Sequence, residues 1–247
     1  MSRIYFYGYG RTTIRRQWLI NETLGVNRLY YVHHGEAAYA VGEKKTIMQA
    51  GNFYFFPVCL PVRFFVLEQK SFDHTFFDFL ITPSFLLQQA ISFPGNDSSL
   101  VQAIALFDRF FQDHGRCSQT EEFLRSHFET ILFFLKRQAP LSQSKDVQME
   151  QALETIHRNF SAPPSVSRLA DQAHMDQTHF IRRFKKAVGT TPCQYSKRCR
   201  MNAALSMLRE GESVQNTAQA CGYQSSAAFS AAFYHHFGQY PSKISLE

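Results

Sequence analysis

Seven positions between Val166 and Pro241 recur at a nearly constant offset, and no other feature limits the fold as tightly. Val166 and Val214 lie 48 apart, as do Ala170 and Ala218, and His174 and Gly222. One residue is then added: Phe180 and Phe229 lie 49 apart, and so do Phe184 and Phe233, Gly189 and Gly238, and Pro192 and Pro241. Each unit predicts a short helix with a small alanine at its middle, a tight turn, and a longer helix with phenylalanines at i and i+4, closed by Gly and Pro. Two helices cross closely only where one presents a small side chain, the place of Ala170 and Ala218. The turn asks for a residue that tolerates positive φ, met by Gly222 and less easily by His174. Asp176 and Ser225 suit the N-caps of the second helices. This is the physical outline of two helix-turn-helix units. Ordinary helical hairpins that only pack a core are the alternative, and seven matched positions argue against it.

Charge divides unevenly along the chain. The total is 26 − 20 = +6. Through Pro140 there are 14 basic and 12 acidic residues, and after it 12 and 8, so the shorter C-terminal part carries the larger excess. Residues 177 to 209 hold eight Lys or Arg and no Asp or Glu. Surface helices normally mix signs, so this purity points to a polyanion. Ser213 to Ser242 then runs for thirty residues without any Asp, Glu, Lys or Arg.

Residues 1 to about 82 read as β. The expected strands are Ile4–Tyr9, Leu29–His33, Ala37–Val41, Phe53–Phe56, Arg63–Leu67 and Thr75–Ile81, with reversals at His34-Gly35, Gly42-Glu43 and Ala50-Gly51-Asn52. Short strands at this spacing suggest a barrel or sandwich. From Ser98 the period becomes helical. Leu100, Ile104, Phe107 and Phe111 mark one helix, and Phe123, Leu124, Phe128, Ile131, Leu132 and Leu135 a second, to about residue 138. The polar stretch 141–148 reads as a linker before an all-helical domain over 149–247. The fold class expected is therefore α+β and multidomain. Five cysteines, an odd number with no CxxC pair, argue against a disulfide framework or a structural zinc site and suit a reduced, cytoplasmic setting. No stretch reads as a membrane span or as a signal peptide.

The segments SVSRLADQAHMDQTHFIRRFKKAVGTTPCQY, RCRMNAALSML and SVQNTAQACGYQSSAAFSAAFYHHFGQYPS closely resemble the DNA-binding domain of AraC/XylS-type transcription regulators. FIRRFKKAVGTTP and the ACGY…FSAAF…FGQYPS signature are the most diagnostic pieces. More loosely, RLYYVHHGEAAYAVGEKKTIMQAGNFYFFP resembles the family's cupin-like effector and dimerisation domain. The resemblance implies double-stranded DNA, RNA polymerase and a small-molecule effector as partners, a homodimer, an activator's role, and no cofactor. Thr178, Ile181 and Arg182 match the groove-facing positions of the first unit. Thr178 and Ile181 suit thymine methyls and Arg182 a guanine edge, while Arg183, Lys185, Lys186 and Lys197 supply charge for phosphates. A solvated face is the bland alternative for Lys186. Arg200 matches a position that more often serves the connecting helix. The second unit offers Ser225, Ser226, Ala227 and Ser230. It departs from the family at Ala231, where arginine is common, and at Tyr234 and His235, where Lys or Arg usually follows.

The N-terminal region offers weaker candidates. Arg11, His33, Tyr39, Arg63 and His74 are the polar residues placed to reach into a barrel and touch an effector, against the alternative of a barrel packed solid with rings. Phe123, Phe128, Ile131 and Leu135 are candidates for a dimer contact. A cupin-type enzyme is a further alternative. His33 and His34 are adjacent, so at most one faces a barrel interior, and the metal-binding pattern of such enzymes is missing. No nucleophile–base pair is apparent. A protein-interaction module with degenerate helix-turn-helix units is the third class considered.

Overall fold

The computed structural model describes residues 3–14, 19–23, 25–58, 60–66, 70–85, 87, 89–115, 117–138, 141, 144–209 and 211–244, without the side chains of 19–23 and 66. Two compact units emerge. One comprises residues 4–81 and 85–143; the other comprises residues 144–247 with the short segments 1–3 and 82–84.

The first unit holds eight antiparallel strands, β1 (Arg3–Ile14), β2 (Leu19–Thr23), β3 (Asn27–Val41), β4 (Lys44–Gln49), β5 (Asn52–Phe56), β6 (Pro61–Val66), β7 (Phe72–Thr82) and β8 (Ile91–Pro94). They form two sheets that share β3. Its first half pairs with β5 and β7, and its second half with β4 and β6. The expected reversal at His34-Gly35 is therefore not a turn: the strand runs straight on. A register shift between Val32 and His34 marks a bulge, and Gly35 follows at φ 82°. A Cβ on Gly35 would stand 1.9 Å from the Ser71 carbonyl oxygen, so only glycine lets the strand pass there. The bulge also changes which residues face inward. Tyr30 and Val32 point into the core between the sheets before it, and Ala37 and Tyr39 after it. β2, β4 and β8 have no counterpart among the expected strands. The turns at Gly42-Glu43 and 50–51 hold.

Two clusters pack the unit. Tyr30, Tyr54, Phe56, Phe64, Phe72 and Phe76 fill the space between the sheets. On the other face of the first sheet, Leu29, Phe53, Phe55, Phe77 and Phe79 meet two helices, α1 (Ser98–His114) and α2 (Ser118–Gln138). Phe128, Ile131 and Leu135 are fully buried in that second cluster. This corrects their reading as dimer contacts: the sheet already covers them. Phe123 is partly buried and stacks on Phe110 and His127. Leu106 and Phe133, at 52% and 58% exposed, are the large apolar residues left in water on these helices.

The second unit contains α3 (Val147–Arg158), α4 (Val166–Gln172), α5 (Gln177–Val188), α6 (Pro192–Arg209), α7 (Val214–Ala220), α8 (Ser226–Phe237) and a 3-10 turn at Pro241–Lys243. α3 begins inside the stretch read as linker, because Asp146 caps it by accepting from the Met149 N–H. α4 and α7 have the same length, as do α5 and α8. Among the described residues, no helix is long and apolar enough to cross a membrane.

Candidate nucleic-acid interface

The two helix-turn-helix units are built from the same local rules. Ser165 and Ser213 cap their first helices, and Asp176 and Ser225 their second. Ala170 and Ala218 are almost wholly buried where those helices cross. His174 takes φ 54° and Gly222 φ 74°, as the turn requires. A Cβ on Gly222 would come within 2.0 Å of the Ser161 carbonyl oxygen. Phe180 and Phe184 anchor the inner face of α5, and Phe229 and Phe233 that of α8; all four are fully buried. Burying positions i and i+4 leaves the opposite stripe in water.

That stripe decides what each unit offers. On α5, Thr178, Arg182, Lys185 and Lys186 are exposed and Ile181 is half-buried. Lys197 is exposed on α6. Among the described residues, no ion pair engages Arg182, Lys185, Lys186 or Lys197, so their charge faces outward. The 49-residue offset places Ala227, Ser230, Ala231, Tyr234 and His235 at the matching positions of α8. Their exposure classes are the same pair by pair. Ser225 differs from its neighbours: its hydroxyl accepts from the Ala228 N–H at 3.2 Å and is spent as a cap. Ser226 is half-buried. Tyr234 stacks on Tyr240 with ring centres 4.6 Å apart. Burial drives His236 down to about 4, and Arg198, Lys197 and His235 add to the effect. The end of α8 thus stands beside the cations of α6.

Two arginines in the basic run are tied up within the domain. Arg200 donates through Nε to the Phe160 carbonyl at 3.2 Å and lies over the Tyr223 ring at 5.5 Å. It holds α6 to the second unit. Arg183 binds Asp146 and Gln148 instead of facing outward. Its partners lie 37 and 35 residues back in sequence, beyond the reach of any local pattern.

The N-terminal candidates separate into two groups. Tyr39 and His74 lie buried between the sheets. His74 stacks on Phe72 at 4.4 Å, and burial pushes it down to about 3, so it is neutral there. The same inward-facing side of β3 holds Arg28, whose Nε and Nη2 grip Asp78 at 2.7 and 2.9 Å. Arg11, His33 and Arg63 do not face that interior. Arg63 is exposed on the outer face of β6. Arg11 is held bidentately by Asp73 at 3.1 and 2.7 Å, which raises the arginine. His33 Nε2 stands 2.8 Å from Thr75 Oγ1 and 3.0 Å from Asp108 Oδ2. The Thr75 hydroxyl donates to Asp108 Oδ1, so the His33 ring donates to Thr75. This polar cluster roots α1 on the sheet, and sequence reading overlooked Asp108. Its signal was an acid standing on the apolar stripe of α1, directly after Phe107. Among the described residues, no group of His, Cys, Asp and Glu is arranged to hold a metal.

An antiparallel double-sheet unit with two helices, followed by two helix-turn-helix units on one connecting helix, defines a class of architecture. Residues 169–245 match the family described as a helix-turn-helix domain. The HTH-type transcriptional regulator AlkR of Acinetobacter baylyi is 35% identical over 95 residues, 38% of this chain and 31% of that protein. A putative AraC-like transcription regulator of Streptomyces lividans is 35% identical over 97 residues, 39% of this chain and 32% of the relative. The chain thus spans about a third of the length of these curated relatives. The structure of unsaturated fatty acid-bound ToxT from Vibrio cholerae superposes with a TM-score of 0.65 at 11% identity, over 98% of this chain and 94% of that one, a likeness of fold. The C-terminal unit is a double helix-turn-helix domain of the AraC/XylS type.

Proposed function

We propose that this protein is a sequence-specific, DNA-binding transcription regulator whose N-terminal unit senses a small molecule. The observation that carries the reading is the outward stripe of α5. Thr178, Ile181, Arg182, Lys185 and Lys186 stand on one face of a helix fixed by two buried phenylalanines, with no acid on the helix to neutralise them. In the major groove Arg182 takes a guanine edge, Thr178 and Ile181 take thymine methyls, and Lys185, Lys186 and Lys197 take phosphates. α8 adds contacts from Ala227, Ser230 and Tyr234 without charge.

A protein of like fold was solved with an unsaturated fatty acid bound, which supports a small-molecule effector for the N-terminal unit. Tyr39 and His74 remain as candidate contacts there, and the Arg28–Asp78 pair adds a charged group beside the rings. The regulator acts without catalysis of its own and addresses RNA polymerase. If it dimerises through α1 and α2, the contact uses Leu106 and Phe133. Selection of bound fragments from genomic DNA, with and without an unsaturated fatty acid, tests the whole reading. Enrichment of one motif supports it. The uncharged α8 favours a second reading, an interaction module that has lost its DNA partner, and no enrichment above a random pool would select that one.

A further inference from the structure

We infer that Arg183, in the middle of recognition helix α5, is a positioning residue that clasps the helix to the start of α3 and to its own turn, and is not a phosphate contact. The inference rests on the DNA-binding reading above. Arg183 Nε donates to Asp146 Oδ2 at 3.0 Å, and Nη2 donates to Oδ1 at 3.0 Å. Nη1 donates to Gln148 Oε1 at 2.9 Å. A fork held at both tines fixes the guanidinium plane, which a single contact does not. The side chains of Arg183 and Asp146 are 37% and 25% exposed, so the pair is partly shielded from counterions.

Each partner is itself anchored. Asp146 caps α3 through the Met149 N–H, and its own N–H is held by the Ser144 hydroxyl at 3.1 Å. Gln148 Nε2 donates to the Ala173 carbonyl at 2.9 Å, the C-cap of α4. The cluster therefore links three places: the first turn of α3, the turn between α4 and α5, and the body of α5. Arg182 is the next residue back, about 100° around the helix. Any roll of α5 that moves Arg182 in the groove has to break the fork at Arg183. The equivalent position of α8 is Ala232, so the second unit has no such clasp. The helix that carries the charged readers is the one held in register.

The clasp and a phosphate contact demand opposite outcomes for Asp146→Asn. Removing a carboxylate beside a DNA-binding face strengthens binding if charge alone matters. If Asp146 orients α5, binding to the specific site weakens. The test uses the full chain, a duplex taken from genomic selection, and a scrambled duplex, each titrated at several salt concentrations. Asp146→Asn and Arg183→Met are expected to lower specific affinity by about tenfold. Affinity for the scrambled duplex and the salt slope stay unchanged. Arg183→Lys, which cannot fork, follows Arg183→Met, and the double variant is no weaker than either single one. The inference is overturned if Asp146→Asn binds as well or better, or if Arg183→Met weakens both duplexes alike and lowers the slope by about one. If the unaltered chain binds neither duplex, the DNA-binding reading fails with it. Melting temperatures of the unaltered chain, Asp146→Asn, Arg183→Met and their double variant then judge the clasp separately, and strictly additive shifts refute it.

Discussion

At the scale of single residues, contacts that read bases and contacts that hold phosphates leave different signatures. Arg182→Ala is expected to cost about 1–3 kcal/mol of binding and to relax preference at one base pair. Lys185→Ala weakens all sequences alike and flattens the salt dependence by about one unit. Anisotropy titrations on a site and its single-base variants separate the two. The turns give a second pair. Gly222→Ala forces a left-handed alanine, about 1–2 kcal/mol, and adds a collision with the Ser161 carbonyl 2.0 Å away. His174→Gly relieves the same backbone strain in the first unit and stabilises it by up to about 1 kcal/mol. Urea denaturation of the two variants reads both signs, and equal destabilisation by both would contradict this account of the turn.

At the scale of elements, the C-terminal helices were readable from sequence because each is ended by its own residues. Asp176 and Ser225 cap with their own side chains, Gly189 and Gly238 close at positive φ, and buried phenylalanines recur at i and i+4. Strands depend on distant partners. β4, KKTIMQ, has no strong local pattern and is a strand because residues 36–41 lie beside it. His34-Gly35 has the composition of a turn but sits in a bulge, where the Glu36 N–H donates to the Ser71 carbonyl at 3.1 Å and no room is left for a Cβ on Gly35. Arg183 looked like one more cation for the same reason, its carboxylate lying far back in sequence. α2 shows the limit of apolar counting: its stripe was visible, while what covers it was not. Phe128→Glu is expected to unfold the N-terminal unit, costing about 3–5 kcal/mol or more. Phe133→Glu leaves folding intact and shifts any dimer toward monomer. Circular dichroism and sedimentation velocity on the two variants check this, and a folded Phe128→Glu protein would be the surprising result.

At the scale of the whole molecule, both units keep buried neutral histidines. Burial holds His74 in the first unit and His157 in the second at about 3, against an ordinary value of 6.5. His157 stands 2.7 Å from the Tyr195 hydroxyl. The unfolded chain binds protons at these sites once pH falls below about 6.5, while the folded chain does not until about 3. Stability is thus complete above pH 6.5 and declines toward pH 3, by up to about 1.4 kcal/mol per pH unit for each histidine. His157→Gln should remove one histidine's share of that decline. Urea midpoints at pH 7 and pH 4.5 test it, and an unchanged difference between the two pH values would count against a neutral His157.

If both helix-turn-helix units engage DNA as proposed, the thirty residues from Ser213 to Ser242 without Asp, Glu, Lys or Arg divide the labour in time as well as in space. Long-range attraction to DNA comes from cations, so arrival is governed by α5 and α6 and slows as salt rises. α8 carries no Lys or Arg to steer with, and its contacts form only after docking. Close apolar packing acts on departure instead. On the DNA-binding reading proposed above, the first unit finds the duplex and the second sets how long the protein stays.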